Sequence, residues 1–270
     1  MRLRVGGACH EGRVVDLRAS DVDGAAVARS VRGEALTPAV SPTATAAVYR
    51  YAGHVRPGMG LRTRTALAAA ARSRGVTAPQ DDAIADLRAR LADLDPDRPD
   101  LPARTGRVPE GAVRELEEAV ATHRGRVRAH ERLPAGDASE PREDLRAAAR
   151  RLSERETERT AARQTRERRR DAARGYRQQL ERRRRLADEL ANRRREARAH
   201  LVDSLEGRFR ASLATLPGPT PEDPFDAPPV DAALATLRVA RTEAPVVLEV
   251  DRFASPAAAA RQLSAPVVRC

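Results

Sequence analysis

The chain has 270 residues and a formal charge of +11, with 33% charged residues, 2% aromatics and no Trp. Aromatic side chains bury the largest area per residue, so any core must be aliphatic and modest. No run approaches the roughly 18–20 apolar residues of a membrane-spanning helix, and the opening MRLRVGGACHEGRVV lacks the apolar stretch of a signal peptide. Cys9 and Cys270 are too few for a disulfide scaffold, and no Cys/His spacing points to zinc. A soluble, cytoplasmic protein is expected. All 50 basic residues are Arg, with no Lys.

In chain order, Leu3–Val5 and Val14–Leu17, separated by glycine-containing turns, read as a hairpin. Ser20 with Asp23 three residues on can cap a short helix ending near Gly33, and Ala46–Tyr51 reads as a third strand. Leu61–Arg74 is Ala-rich and helical, with Gly75 where a C′ glycine belongs. Thr77 and Gln80 form a capping-box pattern around Pro79, and Ile84, Leu87, Leu91 and Leu94 follow at helical spacing.

Proline then divides the chain, with four prolines between Asp95 and Pro109 and six between Leu216 and Pro229. After the second break, Val230, Leu234 and Leu237 mark a helix face, and Val246–Val250 reads as a buried strand. Ser255–Pro256 caps a helix and Val267–Val268 closes the chain as a strand. Strand, helix and strand predict a parallel crossover. Neither chain end holds enough apolar mass alone, so both are expected to share a sheet.

The predicted fold is α+β: a small mixed sheet from both chain ends with a long helical, coiled-coil insertion. The expected segments are 1–95, a linker at 96–109, a helical arm at 110–215, a linker at 216–229, and 230–270 packing with the N-terminal segment. Within the arm, Val113, Leu116, Val120, His123, Val127 and His130 follow a 3-4 spacing. A turn is expected at Leu133–Pro141. A second frame runs from Leu145 through Ala148, Leu152, Ala162, Ala173, Tyr176, Leu180, Ala187, Leu190, Ala197 and Leu201 to Ser204, with Arg at six of its 18 positions. Glu181 and Arg185 are spaced for an ion pair. The Ala/Leu seam around Tyr176–Leu201 predicts self-association.

The run GHVRPGMGLRTRTALAAAARSRGVTAPQDD (Gly53–Asp82) and the stretch APVVLEVDRFASPAAAARQL (Ala244–Leu263), with the Lys-free composition, resemble uncharacterised proteins of halophilic archaea. The resemblance implies no particular activity, and the chain departs from the acidic composition usual in halophiles.

Charge placement is the strongest functional signal. Between Arg159 and Arg198 there are 16 Arg and 6 acidic residues, a net of +10 within a chain of +11. The runs Arg168, Arg169, Arg170, then Arg182, Arg183, Arg184, Arg185, then Arg193, Arg194, Arg195 are the candidate binding residues. Guanidinium groups bind phosphate bidentately, and clustering on one helix is the footprint of a nucleic-acid binder. With no interleaved aromatics, binding to the backbone is expected, with little sequence dependence. The architecture resembles the head-and-arm plan of chromosome-maintenance coiled-coil proteins, without their nucleotide motifs.

The rival readings are an arm that binds an acidic protein, and an oligomerising scaffold with no nucleic-acid affinity. The loop Arg56–Gly60, near Arg62, Arg64, Arg72 and Arg74, offers a possible anion site, although no Walker sequence is present. His54 with Asp81 and Asp82 is a candidate metal or acid–base group, although nothing in the spacing places them together. His123 and His130, seven apart, read as polar register positions. Cys9 and Cys270 read as buried thiols. No motif points to catalysis, a cofactor or a metal.

Overall fold

A computed structural model describes residues 1–94, 96, 99, 109–132 and 138–270. The expected linker at 96–109 lies almost wholly outside the described residues, as does the first part of the expected turn at 133–141. The described chain divides into two compact units, Met1–Ala89 with Asp188–Cys270, and Arg90–Ala187. The architecture is α+β, with strands from both chain ends and a long helical insertion.

The first unit holds two sheets. β1 (Arg2–Val5) pairs antiparallel with β2 (Ala8–Glu11) and β3 (Val14–Asp16) leaves for the other sheet, so the hairpin partner of β1 is not the one expected. The reason is local: Gly6 (φ 52°) and Gly7 (φ 89°) take two successive left-handed positions, the geometry of a two-residue hairpin turn. β4 (Ala39–Ser41) covers the other side of β1. The second sheet has the order β3, β7 (Val267–Arg269), β6 (Val246–Leu248), β5 (His54–Val55), and every pair in it is parallel. Both chain ends therefore contribute to it, and β6 and β7 are buried at every position, as strands covered on both faces must be.

Helices follow the sequence signals with local corrections. α1 (Gly24–Val31) is capped by Asp23, whose side chain accepts from Ala25 N–H, and not by Ser20. Residues expected to form a strand at 46–51 instead lead into α2 (Tyr49–Ala52), a single helical turn whose Tyr49 hydroxyl donates to the Ala244 carbonyl. α3 (Thr63–Ser73) ends as predicted, with Gly75 at φ 80°. Its buried run Ala66–Ala71 packs on α7 (Pro229–Val239), which buries Ala232, Ala233 and Ala235. Small side chains on both helices permit that close approach.

α4 (Asp81–Asp93) starts after Pro79, and Asp81 accepts from Ala78 N–H in place of the Thr77–Gln80 box. α8 (Pro256–Leu263) is capped by Ser255 and connects β6 to β7, completing the predicted crossover. The last part of α6 (Ser139–Leu213) adds Leu205 and Phe209 to this core, with Phe209 fully buried and stacked on Phe225 at 6.0 Å. In this unit Leu190, Ala197 and Leu201 of the predicted frame are buried, and Ser204 yields to Leu205.

The second unit contains α5 (Glu110–His130) and the greater part of α6. Pro141 lies in the first turn of α6, where a missing N–H costs nothing, so the turn expected to reach it is shorter. α5 folds back on α6: Arg142 bonds Glu131 at 2.5 Å, and His123 Nδ1 lies 3.7 Å from Asp144 Oδ2. Val113 and Val127 are buried and His123 is half-buried, whereas His130 is exposed. Along α6, Leu145, Ala148, Leu152, Ala162, Ala173 and Tyr176 of the predicted frame are covered, while Leu180 (41% exposed), Arg183 and Ala187 are not.

Candidate functional site

α6 stays helical because Ala, Arg, Glu, Gln and Leu dominate it, with Pro only in its first turn and Gly only at Gly175 and Gly207. Ion pairs at helical spacing lace its surface: Arg155–Glu158 and Arg185–Glu181 at 2.9 Å, and Arg174 with Asp171. The predicted Glu181–Arg185 pair is thus formed. Each pair is exposed and contributes only about 0.3–0.5 kcal/mol, so the helix owes little to any one of them. Glu and Asp supply too few partners, and arginines are left over.

The candidate arginines divide accordingly. Arg168, Arg170, Arg182 and Arg184 are exposed in the second unit and have no ion pair among the described residues. Arg169 is half-buried, and both Arg169 and Arg183 have partners. Arg185 is held by Glu181. Arg193, Arg194 and Arg195 belong to the first unit, where Arg193 pairs with Glu196 at 2.9 Å, Arg195 bonds Asn192, and Arg194 is exposed.

A regularity within the second unit joins some of these residues to others that the reading of arginine runs passed over. Arg163, Arg170, Arg177 and Arg184 are seven residues apart and all exposed. At about 1.5 Å rise per residue they form a stripe with steps of about 10.5 Å. Arg177 donates through Nε to the Ala173 carbonyl at 3.2 Å; the other three have no hydrogen bond or ion pair among the described residues. Counting residues in sevens, in place of looking for consecutive arginines, would have found the stripe. An open cleft of about 660 Å³ follows the same stretch, lined by Arg169, Arg170, Arg174 and Arg177 with Glu167 and Asp171.

The other sequence candidates are dispersed. His54 Nε2 meets Glu249 Oε1 at 2.9 Å, while Asp81 is bonded by Arg72, so His54 and Asp81 form no group. Arg72 raises no anion site at Arg56–Gly60 because Asp81 holds it; Arg64 lies 3.8 Å above the Phe225 ring and Arg74 donates to the Val239 carbonyl. The pair with Arg72 has a measurable consequence. The hydrogen bond from Arg72 comes first, and the Ala78 N–H and the charges of Arg72 and Arg88 add to it, holding the Asp81 carboxyl at about 2.

Cys9 is exposed, contrary to expectation, and Cys270 is partly covered. Burial first, then the negative charges of Glu249, Asp23 and Asp16, push the Cys270 thiol up to about 11, far from the thiolate form at neutral pH. Among the described residues no group of three or more His, Cys, Asp or Glu is placed to hold a metal ion, and no helix is long and apolar enough to cross a membrane.

Neither a curated protein nor a solved structure matches this chain. Residues 12–267, which take in the parallel sheet's first strand and the whole of α6, match the model described as Family of unknown function (DUF7856), and the chain belongs to that family.

Proposed function

We propose that the Arg163–Arg185 stretch of α6 binds the phosphate backbone of nucleic acid, without catalysis and with little regard to base sequence. The observation that carries this reading is the stripe Arg163, Arg170, Arg177 and Arg184, whose guanidiniums have no carboxylate partner among the described residues. A helix that needed arginine only for solubility would lace it with acids. Here residues 159–185 carry 12 Arg against 3 acidic residues. Exposed arginines release counterions from a polyanion when they displace them, and phosphate contacts position without specifying.

The test is a binding titration of duplex DNA at two or more salt concentrations, with the parent chain and with Arg163, Arg170, Arg177 and Arg184 changed to Gln. The parent should bind with a steep negative dependence of log affinity on log salt. The four-fold variant should lose up to about 0.9 of slope per phosphate contact removed, and weaken all sequences alike. Gln keeps helix propensity, and circular dichroism verifies that α6 is intact. A parent that fails to bind at low salt, where charge attraction is strongest, refutes the proposal and leaves the scaffold reading. Equal binding of an acidic polypeptide would redirect it to an acidic protein partner.

A further inference from the structure

The parallel sheet has a feature independent of α6. The chain crosses from β3 at one edge to β5 at the other, then returns through β6 to β7. Right-handed crossovers that run in opposite directions place their helices on opposite faces. In agreement, α1 packs on β5 and β6, while α7 and α8 pack on each other, with α8 on β7 and β3. The loops leaving β3 and β6 therefore turn to opposite faces, over the carboxyl end of β7 that lies between those strands. In open parallel sheets this switch point is where ligands bind.

The side chain at that point is Arg269. It is only 8% exposed, on a strand otherwise made of Val267 and Val268. Its single side-chain hydrogen bond among the described residues is from Nη2 to Asp251, whose own side chain is 87% exposed. A guanidinium has five N–H donors, and burying its charge is costly unless it is well paired and hydrogen-bonded. No nitrogen of Arg269 is both sealed from solvent and unbonded, so its remaining donors keep contact with solvent.

A second guanidinium is joined to this point through Asp16, the register partner of Arg269. Arg18 holds Asp16 through Nη2–Oδ2 at 2.7 Å and Nε–Oδ1 at 3.0 Å, and the charge of Asp251 acts on Arg18 as well. Arg269 in turn acts on Asp16, whose backbone pairs with it across β3 and β7. Asp251 is held by its one bond from Arg269 and is largely in solvent. Asp16, Asp23 and Glu249 all act on the neighbouring Cys270, so the surroundings are acidic and disfavour a long polyanion.

We propose that this end of the parallel sheet binds one compact anionic group, the carboxylate or phosphate of a small molecule, between Arg269 and Arg18, and that Asp251 occupies the position in its absence.

The experiment uses the full chain carrying Gln at Arg163, Arg170, Arg177 and Arg184, which removes the stripe as a competing phosphate binder. In that background, inorganic phosphate and acetate are titrated separately by calorimetry at constant ionic strength set with chloride. Saturable binding of either probe is expected; phosphate alone or acetate alone identifies the group. Asp251→Asn, which removes the resident carboxylate, should tighten binding about tenfold, the size of one hydrogen bond to a charged group. Arg269→Gln should abolish it, and Arg18→Gln, at an exposed position, should weaken it even if the Arg269 variant fails to fold. A pair that serves structure alone gives the opposite pattern: Asp251→Asn lowers the unfolding midpoint and neither probe saturates in any variant. That outcome overturns the proposal and leaves the nucleic-acid reading untouched.

Discussion

Gly24 opens α1 where the Glu249 carboxylate reaches its first turn. A Cβ added there would lie 2.1 Å from Glu249 Oε1, 3.0 Å from Cδ and 3.2 Å from Cγ. Gly24→Ala therefore forces the Glu249 side chain away, and with it the 2.9 Å contact to His54 Nε2, whose side chain is only 14% exposed. A hydrogen bond to a charged group contributes about 1.5–3 kcal/mol. Alanine returns at most about 1 kcal/mol of helix propensity, less at a helix's first residue. The net expectation is a loss of about 1–2 kcal/mol. Urea unfolding followed by tyrosine fluorescence measures it, since Tyr49 is buried in the same unit, and the slope m should not change. In a Glu249→Ala background the obstruction is gone, so Gly24→Ala should become neutral or slightly stabilising. Equal costs in both backgrounds would refute the reasoning, because the double-mutant cycle isolates this contact.

Phe209→Ala should cost about 3–5 kcal/mol by denaturant unfolding, since Phe209 is fully exclosed from solvent and stacks on Phe225; Phe225→Ala, at a half-buried position, should cost less. Asp81 has a folded-state pKa of about 2 against an ordinary 3.8, so its contribution is present above about pH 4 and is lost as pH falls through 2. Solvent exposure limits that contribution to about 1 kcal/mol; Asp81→Asn should remove this part of the acid sensitivity, read from urea midpoints at neutral and low pH. Leu234→Ala, at a position 1% exposed on α7, should cost about 2–5 kcal/mol, and an unchanged midpoint would count against α7 as a core helix.

The parallel half of the fold was legible because its signals are strong and close together. Val246–Leu248 is an apolar run flanked by a Ser–Pro cap and a second valine pair, and a crossover is the short connection such elements allow. The N-terminal sheet was harder to read. β2 is Ala-Cys-His-Glu, with little strand character of its own; it is a strand because the Gly6–Gly7 turn delivers it to β1. β4, and likewise β5 at the edge of the parallel sheet, hold only three and two residues, too few for a period of two to register. They are strands through their partners, which are distant in sequence.

The two candidate sites differ in the same way. Arginine excess on α6 is a property of composition and spacing, so the sequence displays it directly, down to the seven-residue stripe. Arg269 gives no such sign: next to Val267 and Val268 it reads as the polar end of a strand. Its meaning depends on lying between β3 and β6, on the loops turning apart above it, and on Asp251 arriving from eighteen residues away. A charge on a solvated helix is interpretable one residue at a time, because water screens it from its neighbours. A charge buried in a sheet is interpretable only with the topology, because what compensates it is set by the strands and loops packed around it.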